Sequence, residues 1–398
     1  MKRTRELRLL CAGQTLQIAG LSLAMPYMAL YLHRERALGM GRVGLFLAAT
    51  MAATALGQAA GGRLSDALGR RRVMMASLVG RSAFTAALAS VIHARAPLAA
   101  VAAAQMAGAF AGNLYFPAAQ AWVADRYGRH ERLEAFGWMS VATNLGWAMG
   151  PAFGGLFVAL SYSAMFLASA CVCLLCALYL SVALDADVPS ASVAREASAG
   201  PLDARFAVLC GWAVALGAVT SQMVAPLSVH AVSVLGVPET RVGWLFSING
   251  LMVVAFQAPL ARLMRGRPIT RMLAAGAVLY GLGYASVGSA SGFAGLAAAI
   301  VVVTCGEMAV SPGMSTLTAN LAGPGELGRY TGLTGFFNNV GCGLGPLLGG
   351  LGLQYLSPAH PALPWLLVAV VAAAIAAGFA RFGAGLTSAE NGFRPEAA

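Results

Sequence analysis

Apolar residues fall in stretches of about 20, the length of helix that crosses the hydrocarbon core of a bilayer, and short polar loops separate these stretches. Twelve such stretches can be placed in the chain of 398 residues. Their predicted bounds are 9–32, 42–62, 73–92, 98–124, 136–159, 164–184, 206–232, 242–262, 272–290, 293–321, 331–356 and 364–381. The pattern therefore predicts an all-α membrane protein with twelve transmembrane helices.

One pattern of small residues occurs in both the fifth and the eleventh stretch, about half the chain apart. Both copies read G-x-x-x-G-P-x-x-G-G, and Asn144 and Asn339 match outside the pattern at the same offset. This repeat favours two pseudo-symmetric six-helix bundles built on one plan. Small residues let membrane helices approach closely, whereas a proline bends a helix, so we expect helix packing and hinge motion here. The positions are Gly146, Gly150, Pro151, Gly154, Gly155, Gly341, Gly345, Pro346, Gly349 and Gly350.

Composition excludes a soluble domain. Hydrophobic residues make up 59% of the chain and charged residues 10%, whereas soluble domains carry about 25% charged residues. The net charge of +11 comes from basic residues spread over short loops, so we expect no nucleic-acid partner. Most of these basic residues fall on one side of the predicted helices, and the positive-inside rule then predicts that both termini are cytoplasmic.

A change of composition between the sixth and seventh stretches separates the two halves. Proline, serine and glycine with scattered charges are typical of a linker. The sequence predicts an N-terminal six-helix bundle over 1–184, a cytoplasmic linker over 185–205, a C-terminal six-helix bundle over 206–381 and a cytoplasmic tail over 382–398. The tail is glycine-rich and polar, and we expect it to be disordered.

The charged loop after the second stretch carries a family resemblance. Residues 62–72 read G-x-x-x-D-x-x-G-R-R-R; the arginines suit topology anchoring, whereas the aspartate adds nothing to orientation. Together with the twelve stretches and the repeated glycine pattern, this loop resembles the major facilitator superfamily over essentially the whole chain. The pattern in the fifth stretch and residues 306–332 are similar to the drug:proton antiporter branch, that of bacterial multidrug exporters.

The resemblance implies alternating access, in which two six-helix bundles rock around a central site near the bilayer midplane. It also implies a cytoplasmic gate, in which Asp66 contacts the eleventh helix and Arg70 pairs with Asp125. Gly62 would allow a close helix approach, and Ala67 stands where the family has a basic residue, so one contact of the gate is missing or replaced. The gate positions are Gly62, Asp66, Gly69, Arg70, Arg71 and Asp125.

Glu307 is the acid that lies deep in a predicted helix. A charge there costs on the order of 2.5–3.5 kcal/mol on insertion scales, and a carboxyl whose charged form is disfavoured can load and release protons near neutral pH. We predict that Glu307 couples transport to protons; the alternative is a protonated glutamate that hydrogen-bonds a neighbouring helix. Arg81 is the other deep charge, and a structural pair, snorkelling or a substrate role accounts for it.

Polar amides among aromatic and apolar residues are typical of a site for a mostly apolar ligand, although hydrogen bonds between helices explain such amides equally well. The candidate cavity residues are Gln14, Gln17, Arg81, Gln105, Asn113, Tyr115, Phe116, Gln222 and Asn249. Three of the seven cysteines cluster on one predicted helix without a second pair, so we expect no metal site.

These observations predict a transporter of the bacterial inner membrane that exports small amphipathic compounds or drugs in exchange for protons. Three alternatives stay open: a proton-coupled importer or facilitator of a small metabolite, an exporter of a natural product or siderophore, and a membrane sensor or scaffold without transport activity. Lys2 is the only lysine, so there is no phosphate-binding loop motif, and no enzyme constellation is visible. We expect no cofactor beyond the proton gradient, and the resemblance implies a monomer surrounded by lipid.

Overall fold

The structure, a computed structural model, describes residues 2–127, 129–184, 203–264, 266–322 and 327–392, without the side chains at 2–4, 124, 129–134, 261–262 and 327–328. These residues form helices and no strand. The expected fold class is confirmed: this is an all-α membrane protein of twelve helices in two pseudo-symmetric six-helix bundles, as far as the described residues show.

The twelve helices follow the twelve predicted stretches; most extend beyond the predicted bounds, while four of them end one or two residues before the predicted end. They are α1 (Lys2–Leu30, continued by a π-helical turn Tyr31–Glu35), α2 (Met40–Leu68), α3 (Arg70–His93), α4 (Leu98–Asn113 and Tyr115–Arg126), α5 (Arg129–Val158), α6 (Tyr162–Ala183), α7 (Ala204–Thr220, Ser221–Met223, Ala225–Val229 and His230–Val234), α8 (Glu239–Leu263), α9 (Ile269–Gly288), α10 (Gly292–Leu321), α11 (Leu327–Tyr355) and α12 (Leu363–Phe382).

Hydropathy separates these helices into two groups. Nine of those in the described part of the chain are long and apolar enough to cross a membrane by length and composition alone. The other three, α5, α9 and α11, are rich in glycine, whose hydropathy is close to neutral.

Two helices are interrupted shortly before a proline. The α-helical hydrogen bonding of α4 breaks at Leu114, three residues before Pro117, and that of α7 changes to a 3-10 turn at Ser221–Met223, just before Pro226. Proline has no N–H to donate to the carbonyl four residues earlier, so a local break at these places is the expected consequence.

The chain divides into two compact units. Unit 1 consists of Met1–Glu35, Ala49–Ala194 and Pro238–Leu251, and unit 2 consists of Arg36–Ala48, Arg195–Val237 and Met252–Ala398. Each unit therefore contains the first part of one helix from the other half of the sequence. The predicted linker falls almost wholly outside the described residues.

The two units use the same pairs of helices. In unit 1, α1 packs on α5 and α6, and α3 packs on α4 and α6. In unit 2, α7 packs on α11, and α9 packs on α10 and α12. The pairs α1–α5 and α7–α11 correspond to each other, and they contain the two copies of the repeated glycine pattern.

The prediction of a disordered tail is wrong for residues 383–392. Asn391 is buried there, and its side chain accepts a hydrogen bond from the Thr270 N–H (2.9 Å) and donates one to the Thr270 hydroxyl (3.0 Å). The Ile269 N–H donates to the Asn391 carbonyl (2.9 Å). Pro268 precedes α9 and offers no capping side chain, so the tail satisfies the free N–H groups that begin a helix.

Candidate transport site

A cavity of about 430 Å³ lies inside unit 2, and Glu307 lines it. Glu307 lies near the middle of α10, next to Gly306. A Cβ atom at Gly306 would stand 2.7 Å from the Gly276 carbonyl oxygen and 3.1 Å from the Tyr280 nitrogen. The missing side chains at these two glycines therefore let α9 approach α10, and this approach brings Tyr280 to the cavity beside Glu307.

Hydroxyl and amide groups from four helices complete the polar lining of this cavity. Glu307, Ser311 and Ser315 are spaced by four residues along α10, which places them on one helix face. The polar lining residues contributed beside them include Thr220 of α7, Tyr280 of α9, Thr318 of α10, and Thr334 and Asn338 of α11. The predicted set contained none of these except Glu307, although the spacing on α10 was a usable signal.

Arg81, the other deep charge, has different surroundings. The residue is 8% exposed, and its Nη1 atom is buried without a hydrogen bond to any described residue. A Cβ atom at Gly112 of α4 would overlap this guanidinium. Next to it, the Ser77 hydroxyl donates to the Ala111 carbonyl at 2.7 Å. Arg81 is thus packed between α3 and α4 and does not line the described cavity of unit 2.

Three of the amides predicted to line a cavity make hydrogen bonds to neighbouring helices or to their own helix. Gln14 donates to the Thr143 hydroxyl at 3.1 Å, and Asn113 donates to the Ala109 carbonyl at 2.8 Å. Gln222 donates to the carbonyls of Ala218 at 2.9 Å and Gly345 at 2.8 Å. These hydrogen bonds give the three amides a structural role within or between helices. A substrate role for them stays a prediction.

The remaining predicted cavity residues have varied surroundings. Gln17 is fully buried, and neither polar atom of its amide makes a hydrogen bond with a described residue. Tyr115 belongs to a buried apolar cluster, and Phe116 packs against that cluster. Gln105 and Asn249 are half-buried.

The predicted gate residues of the first half form a network at the start of α3. Arg70 donates to the Asp125 carboxylate at 3.1 Å and to the Ser65 hydroxyl at 2.8 Å, and it pairs with Asp66. The pairing of Arg70 with an acid near the end of α4 is thus present. Arg71 donates to the Ser181 carbonyl.

Two glycines of the gate loop behave differently. Gly69 is the single residue between α2 and α3. It has a φ of 97°, a conformation that glycine adopts without steric cost. A Cβ atom at Gly62 would meet no heavy atom within 4 Å. No described residue of another helix lies close to this position, and the close helix approach expected at Gly62 stays a prediction.

The repeated glycines make matching backbone contacts in the two units. In unit 1, a Cβ atom at Gly150 would overlap the Ser22 hydroxyl of α1; in unit 2, a Cβ atom at Gly345 would overlap the Ser221 hydroxyl of α7. Gly146 and Gly341, four residues earlier in each copy, meet the backbones of the same two helices, α1 and α7. The structure places these glycines in close contacts between helices, while a hinge role stays a prediction.

The last glycine of each copy contacts the helix segment that the unit takes from the other half of the sequence. Gly155 lies against the Thr240 carbonyl at the start of α8, within unit 1, and Gly350 lies against the Met40 carbonyl at the start of α2, within unit 2. No side chain separates the backbones at either place, so the two segments are seated on α5 and α11.

A cluster that the sequence analysis missed fixes the start of α8 in unit 1. Glu239 accepts hydrogen bonds from Arg34 at 2.6 Å and from the Tyr162 hydroxyl at 2.6 Å. These three residues, the end cluster, join the ends of α1, α6 and α8. The matching segment in unit 2 is held by an amide instead: the Gly41 N–H donates to the Gln354 side chain at 2.8 Å.

Two pseudo-symmetric helix bundles, with a deep carboxylate beside a cavity, define a multi-pass membrane transporter. The family model of the Major Facilitator Superfamily matches residues 10–346 and 210–396. The chain belongs to the Major Facilitator Superfamily.

Similar proteins support the class. The uncharacterized MFS-type transporter YttB of Bacillus subtilis (strain 168) is 26% identical over 356 residues, which cover 87% of this chain and 88% of YttB. The multidrug resistance protein MdtH of Shigella boydii serotype 4 (strain Sb227) is 28% identical over 156 residues, or 38% of this chain and 37% of MdtH. A solved POT family transporter in complex with 5-aminolevulinic acid superposes with a TM-score of 0.78 at 13% identity, covering 96% of this chain and 97% of that chain; this likeness shows the fold alone.

Proposed function

We propose that this transporter exports small amphipathic compounds or drugs across the bacterial inner membrane in exchange for protons, by alternating access, with Glu307 as the group that carries the proton. The observation that carries the proposal is the position of Glu307 on the wall of a cavity lined by hydroxyl groups. A carboxylate deep in a membrane helix is costly, and a cavity gives it access to a proton and a ligand.

The proposal specifies the direction of transport and the orientation of the chain in the membrane. Export rests on the resemblance of the fifth helix to drug:proton antiporters and on the partial similarity to MdtH, a multidrug resistance protein. Both termini are placed in the cytoplasm by the positive-inside rule. In this orientation the network of Arg70, Asp66 and Asp125 lies on the cytoplasmic side and acts as a gate, whereas the end cluster lies on the outer side. The transporter works as a monomer and needs no cofactor beyond the proton gradient.

The test is a proton-flux measurement in proteoliposomes that contain a pH-sensitive dye. Tetraphenylphosphonium, ethidium and a neutral dye are added, and the internal pH is followed for the native protein and for Glu307→Gln. We expect proton movement opposite in direction to the added compound, and its loss in Glu307→Gln. Glu35→Gln is the matched control, because Glu35 is an exposed carboxylate outside the cavity.

Three results would contradict the proposal in different ways. Unchanged flux in Glu307→Gln would give Glu307 a structural role. Proton movement in the same direction as the compound would favour an importer. If no compound caused proton movement, proton antiport would be contradicted.

A further inference from the structure

A second cavity of unit 2, of about 390 Å³, lies between α11 and α12 and has α7 as its floor. Two residues of its rim, Leu348 of α11 and Leu367 of α12, are 56% and 53% exposed. Exposed apolar side chains at the edge of an apolar cavity mark a contact with the membrane. The cavity between residues 348–356 and 364–371, the lateral groove, is therefore open to the bilayer.

The lateral groove runs along the helices for most of one leaflet. Its residues on α11 extend from Leu348 to Leu356, a length of about 12 Å at the rise of an α-helix. Half of the hydrocarbon core of a bilayer measures about 15 Å. An acyl chain of the leaflet on this side of the membrane thus lies parallel to the groove and matches its length.

The described lining of the groove is apolar apart from the side chains of Gln222 and Trp365. Gln222 donates both of its amide protons to protein, one to the Ala218 carbonyl and one to the Gly345 carbonyl. Trp365 is 1% exposed, and its Nε1 atom makes no hydrogen bond with a described residue. The indole N–H of Trp365 is therefore a donor left for whatever fills the groove.

These properties decide what fills the groove in a membrane. A water molecule inside a protein needs two to four polar partners, which this lining does not supply. An empty groove would forfeit the dispersion contacts of its walls. Because the groove opens to the hydrocarbon of the bilayer, a hydrocarbon chain is the occupant that suits it.

The position of Trp365 matches a particular part of a lipid. Trp365 lies in the first turn of α12, at the end of the membrane-crossing helix. Tryptophan is enriched at this depth, where the apolar chains of lipids meet their polar groups. Its ring stacks on Tyr284 (6.0 Å between centroids) and meets the His230 ring edge-on (5.1 Å), so neighbouring side chains fix the indole in place.

We propose that the lateral groove binds one acyl chain of a membrane phospholipid, with the indole N–H of Trp365 donating a hydrogen bond to the ester carbonyl of that chain. The inference does not depend on the proposed function. The groove is a separate site, because none of its described lining residues lines the cavity beside Glu307.

The test is photo-crosslinking of the full-length protein in bilayers of phosphatidylcholine. A small fraction of the lipid carries a photoreactive diazirine in the middle of one acyl chain, and mass spectrometry of peptides locates the label. Val219 and Gln222 on the floor of the groove are buried, so a chain reaches them only by entering the groove. We expect them to be labelled as strongly as Leu366, an exposed residue of α12.

A variant that fills the groove and a matched control locate the label. Val368 lines the groove, and the larger ring of Val368→Phe takes the space of the chain. We expect this variant to lower labelling of the floor several-fold. Val370→Phe is the control on the same helix, because Val370 is 66% exposed and does not line the groove. It should keep the native labelling.

Ester-linked and ether-linked diazirine lipids test the hydrogen bond, because the ether linkage lacks the carbonyl oxygen. At equal concentration we expect the ester lipid to label the floor roughly 2- to 10-fold more strongly, the ratio that corresponds to one net hydrogen bond. Trp365→Phe should abolish this preference. Trp212→Phe should keep it, because the Trp212 indole nitrogen is also buried without a hydrogen bond to a described residue but lies outside the groove lining.

Three results would overturn the inference. The first is a floor without label, or a label that Val368→Phe leaves unchanged. The second is equal labelling by the ester and ether lipids, which would contradict the phospholipid ester as the occupant. The third is loss of the floor label on addition of ethidium, which would assign the groove to a transported compound. Proton flux enters none of these results, so the proposed function and this inference fail separately.

Discussion

Arg81 in unit 1 and Glu307 in unit 2 are both charged residues deep in a helix, yet their surroundings differ. The guanidinium of Arg81 is packed against Gly112, and its Nη1 atom makes no hydrogen bond to a described residue. Glu307 lines a cavity whose walls carry hydroxyl groups. The two units repeat the same helix pairs, so the difference arises from side chains and not from the architecture.

Depth in the membrane therefore does not by itself identify the residue that couples transport to protons. A charged group is costly wherever it is buried. It can exchange a proton or a ligand only where a cavity reaches it. Variants of the shared glycines, of the two deep charges, of the helix segments from the other half of the sequence and of the tail test how far the two units share a scaffold and where they differ in function.

The largest effect is expected from the glycines that both units share. Gly150→Val and Gly345→Val insert a branched side chain where a Cβ atom would already overlap Ser22 or Ser221. Overpacking costs typically 1–3 kcal/mol, and we expect both variants to reach or exceed the upper value. Thermal unfolding of purified protein, together with the yield of monodisperse protein, measures this.

Gly137→Val and Gly332→Val are the matched controls. These glycines lie at the same offset in the sequence as Asn144 and Asn339, and a Cβ atom at either would meet no heavy atom within 4 Å. Valine is a better helix former than glycine, so both controls should keep native stability. A large loss in only one of the two test variants would show that the scaffold is less symmetric than the glycine contacts indicate.

The second effect separates the two deep charges. We expect Glu307→Gln to lower proton flux by about 100-fold or more, in line with the contribution of a positioned proton-transfer group, with little change in melting temperature. We expect Arg81→Met to keep transport and to preserve or raise the melting temperature, because replacing a poorly paired buried charge by an apolar group is often neutral or stabilising. Loss of transport in Arg81→Met, with an intact fold, would give Arg81 a functional role.

The third effect concerns the helix segments that the units take from the other half of the sequence. Arg34 is 52% exposed and Glu239 18% exposed at the side chain, so their ion pair is worth about 0.2–1 kcal/mol. A double-mutant cycle with Arg34→Gln and Glu239→Gln, read by chemical unfolding, should give a coupling energy in this range. A coupling energy of zero would show that the Tyr162 hydroxyl and the glycine contacts hold α8 without the ion pair.

The smallest effect is expected in residues 383–392, the tail of unit 2. Hydrogen bonds from the Thr387 N–H and hydroxyl, and an ion pair with Arg205, hold the pKa of Glu390 below its ordinary value of 4.5. The stabilisation from Glu390 is therefore present above pH 4.5 and is lost as the pH falls below this value through the lowered pKa.

Hydrogen exchange at the Thr270 and Asn391 amides checks this expectation. Exchange should speed up on acidification from pH 5 to pH 3 in the native protein, after correction for the intrinsic pH dependence of exchange. In Glu390→Gln it should be faster at pH 5 and change less with pH. A pH response that Glu390→Gln leaves unchanged would assign the effect to another carboxylate.

Hydropathy and residue spacing predicted most of the architecture. The twelve helices begin and end within a few residues of the predicted stretches, because the length of an apolar run is a local property set by the thickness of the bilayer. The pairing of Arg70 with Asp125 could also be predicted, because the family pattern includes both residues. The repeated glycines predicted close packing before any helix neighbour was known.

The residues that line the cavity could not be predicted from the sequence in this way. Thr220, Tyr280 and Thr334 are far apart in the chain and meet Glu307 only because α7, α9 and α11 pack around α10. The same holds for Asn391, which caps α9 from the end of the chain. A hydroxyl or amide in an apolar run has the same sequence signature whether it fastens two helices or faces a ligand, and the packing of distant helices decides between the two.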